Sequence, residues 1–166
     1  RTLDISSAGP TGVLLPFDNR MDGDTWGIEL AGQWQVRPGW RINGSYTYLN
    51  MSLDLDSSST DTQSQGAEDA SPSHQASLWS AYNIGGDWEF DTALRYVGDI
   101  EVSGTDIDDY IELDLRLGWK PGPGVELSIV GQNLLDSRHG EFLPDFIATQ
   151  PTEVERSIFL RGIWKF

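Results

Sequence analysis

Apolar and polar residues alternate with period two along most of this chain. Residues 25–37 set Trp26, Ile28, Leu30, Gly32, Trp34 and Val36 on one side, and residues 40–55 do the same with Trp40, Ile42, Gly44, Tyr46 and Tyr48. The pattern returns at 73–84 (Ala76, Leu78, Ser80, Tyr82, Ile84) and at 87–102 (Trp88, Phe90, Thr92, Leu94, Tyr96, Gly98, Ile100, Val102). It continues at 109–120 (Ile111, Leu113, Leu115, Leu117, Trp119) and at 124–135 (Val125, Leu127, Ile129, Gly131, Asn133), and ends at 153–166 (Ile158, Leu160, Gly162, Trp164, Phe166). Successive side chains of a strand point to opposite faces, so the spacing predicts seven long strands. None of the positions just named is charged. The charges sit between them: Glu29, Arg41, Glu89, Asp91, Arg95, Asp99, Glu101, Glu112, Asp114, Arg116, Glu126, Arg161 and Lys165. One face avoids water and the other is built for it. A soluble two-sided sheet shows the same alternation, so the connections must discriminate.

Those connections alternate in length. Turn chemistry joins strands at 38–39, 85–86 and 121–124, whereas the joins at 56–72, 103–108 and 136–152 are long. Outer-membrane barrels alternate in this way, with short periplasmic turns and long extracellular loops. A tilted membrane-crossing strand needs about 9–11 residues, and most of these segments have that or more. Aromatic residues gather near the strand ends. Trp34, Trp40, Trp88, Trp119, Trp164 and Phe166 fall towards the short turns, and Trp26, Tyr48, Tyr96 and Tyr110 towards the long loops. Two such girdles are expected at the two membrane–water boundaries. Residues 1–24 read as the end of a preceding strand at 1–5, then a long loop through Gly9, Pro10, Thr11 and Gly12.

Composition adds exclusions. The net charge of −15 disfavours nucleic acid, whose phosphates call for Lys and Arg. With 38% hydrophobic residues and seven tryptophans the chain carries too much apolar area to read as disordered. It has no cysteine for a disulfide or thiolate site, no apolar run long enough for a membrane helix, and no stretch resembling a signal peptide. It opens on Arg1, which fits a fragment or a processed protein.

Candidate chemistry is sparse. His74 and His139 stand apart in sequence, whereas zinc needs three or four clustered ligands, so no metal site is expected. The carboxylates are scattered over every strand rather than paired as in glycosidases. No phosphate loop, nucleophile elbow or metalloprotease motif is present, so neither catalysis nor a cofactor is expected. Asp91, Arg95, Asp114 and Arg116 are placed for cross-strand pairs on the wet face. Asp54, Asp56, Asp61, Glu68 and Asp69 make an acidic loop off the calcium-loop spacing; a solvated loop is the default there, with weak divalent-cation binding as a hypothesis.

Several stretches taken in order resemble TonB-dependent outer-membrane receptors. They are residues 19–30, with Asp22, Gly23 and Trp26; residues 40–49; residues 71–78, with His74; and residues 94–97. The most specific is Val130-Gly131-Gln132-Asn133-Leu134-Leu135-Asp136, followed by His139 and Phe142; the last strand, 156–166, matches as well. The resemblance implies an all-β, antiparallel up-and-down meander. The whole of 1–166 would be the C-terminal portion of a 22-stranded barrel, without the plug, the TonB box and the earlier strands. Alone it would be a curved open sheet; a small closed barrel of eight strands using residues 1–24 is the competing geometry. The implied setting is the bacterial outer membrane. The implied partners are membrane lipid, the plug, TonB and the barrel assembly machinery, with a ligand such as a ferric siderophore. Gly162, Trp164 and Phe166 would form the assembly signal on the lipid face, and the sequence names no ligand-contacting residue. The alternative is a soluble, acidic β-sandwich that binds carbohydrate through exposed Trp.

Overall fold

The computed structural model describes residues 2–3, 7–9, 12–14, 17–61, 64–144 and 149–166. Seven antiparallel strands form one sheet, each paired with its neighbour in sequence. They are β1 (Met21–Arg37), β2 (Trp40–Leu55), β3 (His74–Ile84), β4 (Trp88–Val97), β5 (Tyr110–Gly122), β6 (Val125–Gln132) and β7 (Ser157–Trp164). Turn geometry sets the short joins. Gly85 and Gly86, in the three-residue loop between Ile84 and Trp88, both have positive φ (68° and 91°), which glycine adopts without steric cost.

The sheet begins at β1 and ends at β7 without closing. The expected open sheet is thus observed, and the eight-stranded closed barrel is not. Residues Thr2–Leu3 pair with Phe17–Asp18, and Ser7–Gly9 with Gly12–Leu14, rather than with the wall. Thr2 and Leu3 therefore belong to a local hairpin; the rest of the strand read at 1–5, with Pro10 and Thr11 of the loop, lies outside the described residues. Among the described residues no large second sheet covers the wall, only short two-stranded ribbons, and Ile107 is the one buried hydrophobic side chain. A soluble sandwich buries two inner faces against each other, so that alternative does not describe this chain.

Several boundaries moved, and the first strand, read from 25, begins at Met21 within the stretch read as loop. The segment read at 87–102 ends as a wall strand at Val97; Ile100–Val102 turns back on Thr105–Ile107 through Ser103 and Gly104, both at positive φ. The segment read at 124–135 stops at Gln132, because Asn133 adopts a left-handed conformation (φ 49°). The segment read at 153–166 is two strands: Thr152–Glu155 pairs with Arg138–Phe142 above the wall, and β7 begins at Ser157.

Strands β1 and β2 are 17 and 16 residues long and stay paired to Met21 and Leu55. Seventeen residues extend about 55 Å. At a tilt of about 45° that is about 40 Å along the membrane normal, well beyond an apolar band of about 25 Å. Both strands therefore rise above the membrane on the long-loop side, and the faces exchange character there. Below Trp26 and Tyr48 the outward side is apolar. Above them Asp22, Asp24, Ser52 and Asp54 point outward, while Leu49, Met51, Leu53 and Leu55 turn inward and are half-buried.

Candidate functional site

The outward face is an exposed apolar surface. Ile28, Leu30, Trp34, Leu78, Leu94, Leu117, Ile129 and Leu160 all lie open on it. Rings line its margins. Trp88 stacks on Trp119 (5.6 Å) and Trp40 packs on Tyr82 (5.6 Å) at the short-turn end. At the long-loop end Trp26 meets Tyr48 edge-on (5.1 Å), and His74 packs on Tyr48 (4.9 Å) and bonds the Tyr46 hydroxyl (2.8 Å). His74 is thus a girdle residue. Tyr110 is not: it points to the opposite face, where it stacks on His139 (4.0 Å). Gly162 and Trp164 lie outward on β7, and Phe166 lies past the strand's end, fully exposed.

The inner face has two halves. Across β4–β6 it is a charge lattice centred on Arg116, which donates to Asp91 (2.7 Å), Glu89 (3.0 Å) and Glu126 (2.5 Å); Lys120 also pairs with Glu89. Of the pairs anticipated from sequence, Arg116 with Asp91 forms. Arg95 instead meets its register partner Glu112 (2.5 Å) and reaches Glu141, and Asp114 accepts the backbone N–H of Asn133 (3.0 Å). Across β1–β3 the face carries mostly amides and hydroxyls, with Glu29 and Arg41 among them. Gln33, Asn43, Ser45, Ser77 and Trp79 line an open depression of about 480 Å³, and the Arg41 guanidinium lies 5.7 Å from the Trp79 ring centre. Trp79 escaped sequence reasoning; its signal is a tryptophan at a polar-phase position.

Asn133 is the hinge from wall to surface. It is fully buried, its amide donates to the Val154 carbonyl (2.9 Å), and its backbone is fixed by Asp114. Gly131 leaves the space Leu134 fills: a Cβ there would stand 2.9 Å from a Leu134 methyl. The stretch Val130–Asp136 therefore encodes a tight exit from the sheet.

The acidic loop after β2 has a structural use. Beyond Tyr48 that strand has no β3 partner. Glu68 accepts the Leu53 N–H (3.0 Å), Gln65 donates to the Leu53 carbonyl (2.8 Å), and Asp61 holds Ser64. Asp56 accepts from the Ser58 hydroxyl (2.6 Å) and N–H (2.7 Å), and those bonds hold its carboxyl below the ordinary 3.8. A lowered folded value means the bond contributes above the unfolded pKa and is lost as pH falls through the folded one. Acidification below about pH 4 is therefore expected to lower the exchange protection of the Ser58 amide, relative to an unstructured peptide at the same pH, while wall amides stay protected. Unchanged Ser58 protection would remove this role from Asp56.

An unclosed meander whose outward face is free of charge between its aromatic margins, with a polar inner face, is the wall of a transmembrane β-barrel of the outer-membrane kind. The pattern of the TonB dependent receptor-like β-barrel family matches residues 2–134. The chain belongs to that family, whose place is the bacterial outer membrane. Among solved structures it is similar to the siderophore receptor PiuA from Acinetobacter baumannii (20% identity, all of this chain and 24% of that one, TM-score 0.73). It is similar also to the ferric-catecholate import receptor Fiu from E. coli K12 (19% identity, 87% and 21%, TM-score 0.70). A third is the ferric yersiniabactin uptake receptor FyuA from Yersinia pestis (19% identity, 89% and 24%, TM-score 0.67). The chain spans about a fifth to a quarter of these proteins.

Proposed function

We propose that this chain is the C-terminal wall of an outer-membrane receptor that takes up a ligand such as a ferric siderophore by TonB-driven transport. The observation that carries the reading is the two-faced sheet: an outward surface, uncharged between its aromatic margins, that suits hydrocarbon, and an inward surface of ion pairs and amides that suits a wet, plugged lumen. In this reading the outward face meets membrane lipid, and the amide- and hydroxyl-rich strip around Trp79 faces the plug. The strands rising above Trp26 and Tyr48 help form the vestibule where ligand arrives. Gly162 and Trp164, outward on β7, with Phe166 beyond it, are proposed as the signal read by the barrel assembly machinery. The wall contributes support and shape to transport, and no chemical step.

The test uses the complete receptor gene. Deleting it is expected to abolish uptake of at least one radiolabelled ferric siderophore by iron-starved cells, and removing TonB should abolish the same uptake. Unchanged uptake across a panel of ferric siderophores, haem and cobalamin in the deletion strain would overturn the transport reading.

A further inference from the structure

The ribbon formed by Arg138–Phe142 and Thr152–Glu155 brings residues distant in sequence to the inner face of β5. One ligand atom from each of Glu112, His139 and Glu141 lies within 4.8 Å of the others. The His139 side chain is 7% exposed, and its Nδ1 has no partner among the described residues. Its ring is held by stacking on Tyr110, whose hydroxyl donates to Glu141 (3.0 Å). We propose that Glu112, His139 and Glu141 form a binding site for a divalent transition metal of the zinc type, in which the incoming ion replaces the Arg95 guanidinium.

Four observations support this. The donors come from two strands, Glu112 from β5 and His139 with Glu141 from the Arg138–Phe142 strand, so an ion there would tie the surface ribbon to the wall; isolated acids on one loop would not. One imidazole with two carboxylates suits zinc and its neighbours, whereas calcium takes six to eight oxygens. The position already holds positive charge: Arg95 bridges Glu112 and Glu141. The Arg95 side chain is 45% exposed, so it can swing into the lumen without carrying a charge into an apolar place. Tyr110 fixes both His139 and Glu141, as outer groups around metal ligands do. Sequence spacing alone argued against this site, because His139 lies 27 residues from Glu112; the hairpin closes that gap.

The test uses the complete receptor in detergent micelles, with folding checked first by heat-dependent gel mobility, so that failed assembly is distinguished from failed binding. Calorimetric titration with Zn²⁺ should show one site per receptor that disappears in His139→Ala and in Glu141→Gln. Arg95→Met should bind Zn²⁺ about tenfold or more tightly, since a competing charged hydrogen-bond donor is gone. Co²⁺ should give a visible absorption band lost in the same two variants. If His139→Ala does not fold, Glu112→Gln serves in its place. Zn²⁺ heats that are absent from the folded receptor, or identical in wild type and the ligand variants, would overturn the site. Binding confined to Arg95→Met would overturn it for the native protein.

Discussion

Leu115→Arg in the complete receptor is expected to leave little or no assembled barrel. Leu115 stands mid-strand in β5, in the row that crosses the wall as Trp34, Ile42, Ser80, Thr92, Leu115, Gly131 and Ile158. No member of that row is charged, and all lie on the outward face. An arginine on the lipid side costs about 2–4 kcal/mol at the bilayer midplane. The other side chains of the row offer it no anionic partner. A matched control is Gln33→Arg. It sits one residue from Trp34 but on the inner face, beside Asn43 and the open depression, and is expected to assemble normally. The measurement is heat-modifiable receptor in outer-membrane fractions. Wild-type yield for Leu115→Arg would reverse the assignment of the two faces.

Asn133→Ala is expected to lower the unfolding stability of the complete receptor by about 2–4 kcal/mol. The substitution removes the buried amide that donates to Val154 and leaves that carbonyl short of a partner. It also asks an alanine to hold φ near 49°, a conformation Asn tolerates better than Ala. Asn133→Gly separates the two effects: it relieves the backbone strain but not the lost hydrogen bond, so it should fall between wild type and alanine. Urea midpoints followed by tryptophan fluorescence in micelles measure all three proteins. An alanine variant as stable as wild type would mean that Asp114 alone holds the exit from β6.

Both predictions use residues that alternation had put in one class. Leu115 and Asn133 were each the odd-numbered, outward member of a strand. For Leu115 the assignment is right, since its neighbours on both sides continue the ladder. For Asn133 it fails, since the chain leaves the sheet at Gln132 and the next residue turns inward under Val154. Period-two reasoning assumes that a strand continues, and the residue that ends one must be found by its backbone. A similar failure put Tyr110 in the lipid girdle: position along the chain gave its height correctly, but its phase belongs with Glu112 and Asp114. The segment at 87–102 was overextended for the same reason. Ser103 and Gly104 make a tight turn there, which makes the last three residues one arm of a hairpin.

What could be read before any coordinates follows from the environment a barrel wall must satisfy. Lipid admits no charge on one face and water fills the other, so the membrane imprints a strict alternation on every crossing strand. That imprint revealed seven strands and their two faces; the family they resemble, and with it the meander order, came from particular stretches such as Val130–Asp136. The extensions above the membrane carry no such imprint. There the inward side becomes apolar, as at Met51, Leu53 and Leu55, and the acids of the following loop turn out to cap an unpaired strand edge. Nor does alternation say which distant residues meet: Arg116 among three carboxylates, Arg41 beside Trp79, and His139 beside Glu112 all depend on register and on a ribbon folding back. Those contacts were decided only by the tertiary structure, because they join residues tens of positions apart, whose spacing along the chain holds no trace of their approach.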